Sequence, residues 1–147
     1  MERNLSFNLH VLTARLDRAA DRTLRAERNV SYSRFLALTV VGELGASTQR
    51  TLAECLGVTE PSVSRMTTVL AADGLLDVQP DPAGGHRRRL SLTDEGKQLV
   101  ASVQKGFEER LAALVAHSGV PYAEYAEHTA RLLGTFDRLE REREVAK

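Results

Sequence analysis

The sequence predicts a mainly α-helical chain with a small β-wing: a winged helix-turn-helix core flanked by long N- and C-terminal helices. Three observations predict it. In residues 49–68, Ala53, Gly57, Val58, Val63 and Met66 stand where two short helices joined by a tight turn need them. Directly after them, two short apolar stretches bracket Pro80-Asp-Pro-Ala-Gly-Gly85, a segment dense in turn formers. Long segments with apolar residues three and four apart lie on either side.

The elements follow in order. Leu5, Leu9, Leu12, Leu16 and Ala19 make residues ~5–28 an amphipathic helix. From Ser31 or Ser33 to Leu44, Phe35, Leu36, Leu38, Val40 and Val41 surround much of a second helix, which is therefore expected to be buried, with Gly45 ending it. Thr48 and Thr59 are the expected N-caps of the two motif helices. In the first of these, Ala53 lets the second cross closely. Gly57 takes the left-handed conformation that ends the first helix, and Val58, Val63 and Met66 fill the angle between the pair. Glu60 and Pro61 occupy the first turn of the second, and Gly74 stops it. Leu75–Gln79 and Leu90–Leu92 are the two strands of the hairpin. Thr93 caps a long helix striped by Leu99, Val103, Phe107, Leu111 and Leu114, which Gly119-Val-Pro121 breaks. The last helix, Tyr122 to about Arg143, carries Tyr125, Thr129, Leu132, Phe136 and Leu139 on one face.

At 147 residues, with 42% apolar and 27% charged residues, the chain is expected to form one domain with a sizeable core. No apolar run approaches the ~20 residues of a membrane span, and Met1-Glu-Arg-Asn-Leu5 lacks a secretory apolar segment, so the expected location is cytoplasmic. The single cysteine, Cys55, excludes an intrachain disulfide framework. Its place in Leu52-Ala-Glu-Cys-Leu56, on a packing helix, reads as a buried, inert thiol rather than a redox sensor. His10, His86, His117 and His128 show no short metal-ligand spacing, so no metal and no cofactor are expected. Nucleophile elbows, phosphate-cradling glycine loops and paired Cys/His/acid constellations are missing as well, which argues against an enzyme.

A formal net charge of zero speaks against a uniformly basic surface, but phosphates respond to local charge. Arg87, Arg88 and Arg89 are consecutive, Arg65 lies in the second motif helix and Arg50 begins the first, while acids collect in the C-terminal third. With Val63, Met66 and Leu70 turned inward, that second helix presents Pro61, Ser64, Arg65 and Thr68, with Ser62 and Thr67 at its flanks. Arg65 suits guanine O6 and N7, and the hydroxyls suit base edges or phosphates. Glu60 either offsets the helix dipole or accepts from a cytosine amine. The expected DNA-binding set is thus Thr59, Pro61, Ser62, Ser64, Arg65 and Thr68, with His86, Arg87 and Arg88 of the wing. Three narrow apolar stripes flanking so small a core imply burial against each other and a second copy, the alternative being a monomer with its helices folded back. Two-fold symmetry also suits a two-half-site duplex.

This order of elements resembles the MarR family of bacterial transcriptional regulators across essentially the whole chain, residues 1–147. The core is then expected at about 31–92, and the dimerisation helices at about 5–28 and 93–143. The anchors are Leu52-Ala-Glu-Cys-Leu-Gly-Val58, Pro61-Ser-Val-Ser-Arg65, Leu70-Ala-Ala-Asp-Gly-Leu-Leu76, Asp81-Pro-Ala and Leu90-Ser-Leu-Thr-Asp-Glu-Gly96. The resemblance implies a homodimer on a pseudo-palindromic operator, often a repressor released by a small aromatic, anionic or lipophilic effector or by oxidation. Its ligand pocket would lie near His10 and Arg15, where an arginine suits a carboxylate; salt bridging to Asp17 or Asp21 is the plainer reading. One departure stands out. The family's wing carries Asp and Arg where this chain has Gly84 and His86, which implies a looser wing, with Arg87, Arg88 or His86 left to reach the minor groove. An interaction module with weak or no DNA binding is therefore the alternative.

Overall fold

The computed structural model describes residues 4–45, 47–85 and 87–147. Its elements are α1 (Leu5–Arg28), α2 (Tyr32–Leu44), β1 (Ser47–Thr48), α3 (Gln49–Leu56), α4 (Glu60–Ala72), β2 (Leu76–Pro80), β3 (Arg88–Leu92), α5 (Asp94–Ser118) and α6 (Tyr122–Val145). These residues divide into two compact units, one ending at Gln104 and the other Lys105–Lys147, so the boundary falls inside α5.

Side-chain caps set the helix ends. Asn4 caps α1 by accepting from the Ser6 N–H, and Ser31, not Ser33, caps α2 through the Arg34 N–H. Thr48 and Thr59 accept from the Thr51 and Ser62 N–H groups at 3.1 and 3.3 Å. Gly57, at φ 66°, closes α3 as expected. Leu24, Leu38, Val41, Leu52, Val63, Leu70 and Leu90 are fully buried, so every element of the first unit from α1 to β3 except the short β1 lends the core a large apolar side chain or, for β2, Leu76. Burying one such side chain is worth about 1.5–3 kcal/mol, against about 0.5–2 kcal/mol for a cap. Packing therefore holds α3 and α4 together, and the caps decide where they begin.

The phase of α4 differs from expectation. Thr67 is 1% exposed and belongs to the buried face with Val63 and Leu70, whereas Met66 is only half-buried. At ~100° per residue, Thr67 lies ~40° from Val63, inside the packed arc, and its polarity alone suggested a flank. Val58 is 43% exposed and does not fill the angle between the helices. Cys55 is exposed too, which corrects the expectation of a buried thiol. The buried stripe of α3 follows Leu52 and Ala53, and Cys55 stands ~160° from Ala53 around the axis.

The sheet is three-stranded, in the order β1-β3-β2, antiparallel throughout. β1 was not expected: two residues cannot show an alternating pattern, and the strand exists because Ser47 and Thr48 pair with Leu90 and Arg89. β3 begins at Arg88, two residues before the expected start, because Arg88 pairs with Pro80 across the hairpin. At the tip the Asp81 N–H donates to the Arg87 carbonyl at 2.9 Å, and the Asp81 carboxylate accepts from the Ala83 N–H at 3.1 Å.

The end of α4 is bolted to the start of α5. Thr93 donates its N–H to the Leu75 carbonyl at 3.2 Å and its hydroxyl to the Gly74 carbonyl at 2.7 Å. Its hydroxyl oxygen accepts from the Gly96 N–H at 3.0 Å, which caps α5. A Cβ at Gly96 would collide with the Leu75 carbonyl oxygen, so only glycine lets the helix come this close.

In the second unit Val115 is buried, but α6 is exposed along nearly all its length. Leu132, Leu133 and Phe136 are 62–65% exposed. In the first unit the opening turns of α1 are equally bare, with Leu5, Phe7 and Leu9 on the surface.

Candidate nucleic-acid interface

The outward side of α4 is built by subtraction. Once Val63, Thr67 and Leu70 turn to the core, Glu60, Pro61, Ser64, Arg65 and Thr68 are left exposed, and Ser62 is half-buried. Thr59, expected among the contacts, spends its hydroxyl oxygen on the cap that begins the helix. Thr68 donates its hydroxyl to the Ser64 carbonyl at 2.8 Å, which leaves its oxygen to accept. Among the described residues Arg65 makes only a 3.5 Å contact from Nη2 to the Ser62 hydroxyl, so its guanidinium is held loosely there.

The first turns of α3 and α4 meet the wing in an open groove of about 790 Å³. Pro61 and Ser64 come from α4, Arg50 and Glu54 from α3, and Arg87 and Arg88 from the wing. Five of the expected contact residues are thereby sorted. Pro61, Ser64, Arg87 and Arg88 line one groove, while Arg65 lies on the same helix outside that lining. His86 lies outside the described residues. His10 and Arg15 are exposed on α1. Of the two carboxylates offered as partners for Arg15, Asp21 holds Arg25 at 2.7 Å and Asp17 hydrogen-bonds Tyr32.

Charge in the groove is mixed. Glu54 faces Arg50 at 3.3 Å, but both side chains are at least two-thirds exposed, so the pair is worth about 0–1 kcal/mol and yields readily to a phosphate. Arg87 and Arg88 are exposed and pair with no carboxylate among the described residues. Such a surface can take a polyanion at the wing while α4 offers hydroxyls and one guanidinium to base edges. No group of three or more metal-binding side chains occurs among the described residues.

One pair escaped the sequence. Gln49, on the groove lining, donates from Nε2 to the Thr67 hydroxyl at 3.0 Å. The two are eighteen positions apart and share no periodic pattern, so nothing short of the fold could bring them together.

Comparison with known proteins agrees with this geometry. Residues 28–89 match the family model described as MarR family. An HTH-type transcriptional regulator of Mycobacterium tuberculosis (strain CDC 1551 / Oshkosh) is 34% identical over 87 residues, 59% of this chain and 61% of the relative. An uncharacterised HTH-type transcriptional regulator of Mycobacterium leprae (strain TN) is 34% identical over 82 residues, 56% of this chain and 57% of the relative. The chain thus spans about 60% of the length of the curated relatives it matches. Among solved structures, wild-type MarR from E. coli in its apo form superposes with a TM-score of 0.80 at 18% identity, covering 92% of this chain and 98% of that one. MepR, a transcription regulator of the Staphylococcus aureus multidrug efflux pump MepA, reaches 0.70 at 22%, covering 93% and 99%. At these identities the likeness to the solved structures is one of fold.

Proposed function

From residues 28–89 as a MarR-family winged helix, we propose that this chain is a sequence-specific DNA-binding transcriptional regulator, acting as a homodimer. The observation that carries the proposal is the groove in which the first turn of α4 and wing residues Arg87 and Arg88 come together. Two functions need to meet there. An exposed helix face must enter the major groove, and cations beside it must hold the backbone. The names of the curated relatives support the regulatory reading.

Dimerisation is supported by the apolar side chains left bare on α1 and α6, since a lone soluble chain seldom exposes such runs. A two-fold pair would present α4 to two half-sites about 34 Å apart. Repression relieved by a small aromatic or anionic effector is the regulatory mode that the family resemblance implies, with His10 and Arg15 as the first residues to probe. The second reading, a winged-helix dimer serving as a protein-interaction module, draws on one observation: Gly84 and His86 stand where the resemblance places an Asp and an Arg.

Fluorescence anisotropy with the duplex upstream of the chain's own coding sequence, against a scrambled duplex, at two salt concentrations, separates the readings. A regulator keeps a preference for its operator as salt rises, while non-specific attraction fades. Equal affinity for both duplexes at both salts would favour the interaction module.

A further inference from the structure

We infer that Gln49 and Thr67 form a donor–acceptor rivet that orients α4 on α3, which makes Gln49 a positioning residue for sequence reading. The inference deepens the DNA-binding proposal and rests on it. Thr67 is 1% exposed, on the face of α4 that packs with Val63 and Leu70. Its hydroxyl has one proton, and that proton goes to the Ser64 carbonyl at 3.1 Å. The oxygen is then left to accept, and Gln49 Nε2 supplies the donor at 3.0 Å.

With the Thr67 proton on the Ser64 carbonyl, Gln49 takes the donor role. Gln49 must offer an N–H, which neither a methionine nor a carboxylate can do. Its own backbone is fixed because it is the first residue of α3, immediately after the cap Thr48. At the far end of the relay, Ser64 lines the groove. The chain from Gln49 through Thr67 to the Ser64 carbonyl thus ties the start of α3 to the stretch of α4 that faces the groove. The burial of Leu52, Val63 and Leu70 is non-directional and permits small rotations. A hydrogen bond with a set donor permits far less.

The test uses the full chain carrying Gln49→Met, Thr67→Val, both together, or Thr67→Ser. The ratio of affinities for the upstream duplex and a scrambled duplex is measured at one salt concentration, alongside urea unfolding. Each of the first two substitutions is expected to lower the ratio roughly tenfold, and Thr67→Val, at a residue off the groove lining, should change little on the scrambled duplex. The double variant should be no worse than either single one, because a rivet is lost only once, and Thr67→Ser should keep the wild-type ratio. An unchanged ratio in the single variants, or losses that add in the double, would overturn the rivet. A wild-type ratio near one would sink the DNA-binding reading instead. The rivet would then be judged in urea alone, where additive destabilisation overturns it and coupled destabilisation upholds it.

Discussion

Arg65 and Arg88 are both exposed arginines near one groove, and under the DNA-binding proposal their surroundings suit them to different work. Arg65 sits on the outward face of α4, where a guanidinium can meet a guanine edge with two hydrogen bonds. Arg65→Ala is expected to weaken operator binding by about 1–3 kcal/mol and to relax the preference at one base position. Titration across operator variants checks it: a uniform loss over all of them would make Arg65 a phosphate contact. Arg88 begins a wing strand and lines the groove. Arg88→Ala should make binding less steep in salt, by roughly one unit of log–log slope, and an unchanged slope would place the residue off the DNA. Both positions were legible in the sequence, because an arginine in the outward register of a short helix and an arginine run after a turn are local signals. The environment of Cys55 was not. Its four neighbours pointed inward on average, and only the actual stripe of α3 shows that the thiol faces out.

At the scale of elements, the Asp21 carboxylate ties α1 to α2. Asp21 accepts from the Tyr32 N–H at 2.9 Å and from the Arg25 guanidinium at 2.7 Å. The Tyr32 N–H first, and Arg25 second, hold its carboxyl below the ordinary 3.8. Burial, with Asp17 beside it, pushes the Tyr32 phenol up. A carboxyl lowered on folding stabilises the fold fully above its unfolded pKa, and that contribution is lost as pH falls through the lowered value. Urea unfolding from neutral pH to below 3.8 should therefore show wild type losing stability on the acid side, with Asp21→Asn weaker at neutral pH and flatter below. Parallel pH profiles for the two proteins would remove Asp21 from this role. Helix ends were readable from Thr48, Gly57, Thr59 and Gly74 because capping is local chemistry. β1 and the true start of β3 were not, because a strand's extent is decided by its partner's backbone.

At the scale of the molecule, the question is what covers the apolar side chains of α1 and α6. Leu132 and Phe136 stand one turn apart on α6 and are among its most exposed apolar groups. If a second copy covers them, Leu132→Ser with Phe136→Ser should convert a sedimenting dimer into a monomer of unchanged helical content. A wild-type chain that sediments as one subunit would end the two-half-site reading. The sequence by itself determined the kinds of elements, their order and most of their ends, because periodicity, caps and turn formers act over a few residues. Only the tertiary structure decided that Thr67 is core, that Cys55 is surface, and that Gln49, Ser64 and Arg88 share one groove. Those outcomes depend on the angle and phase at which helices and strands distant in sequence meet, and no local pattern carries that information.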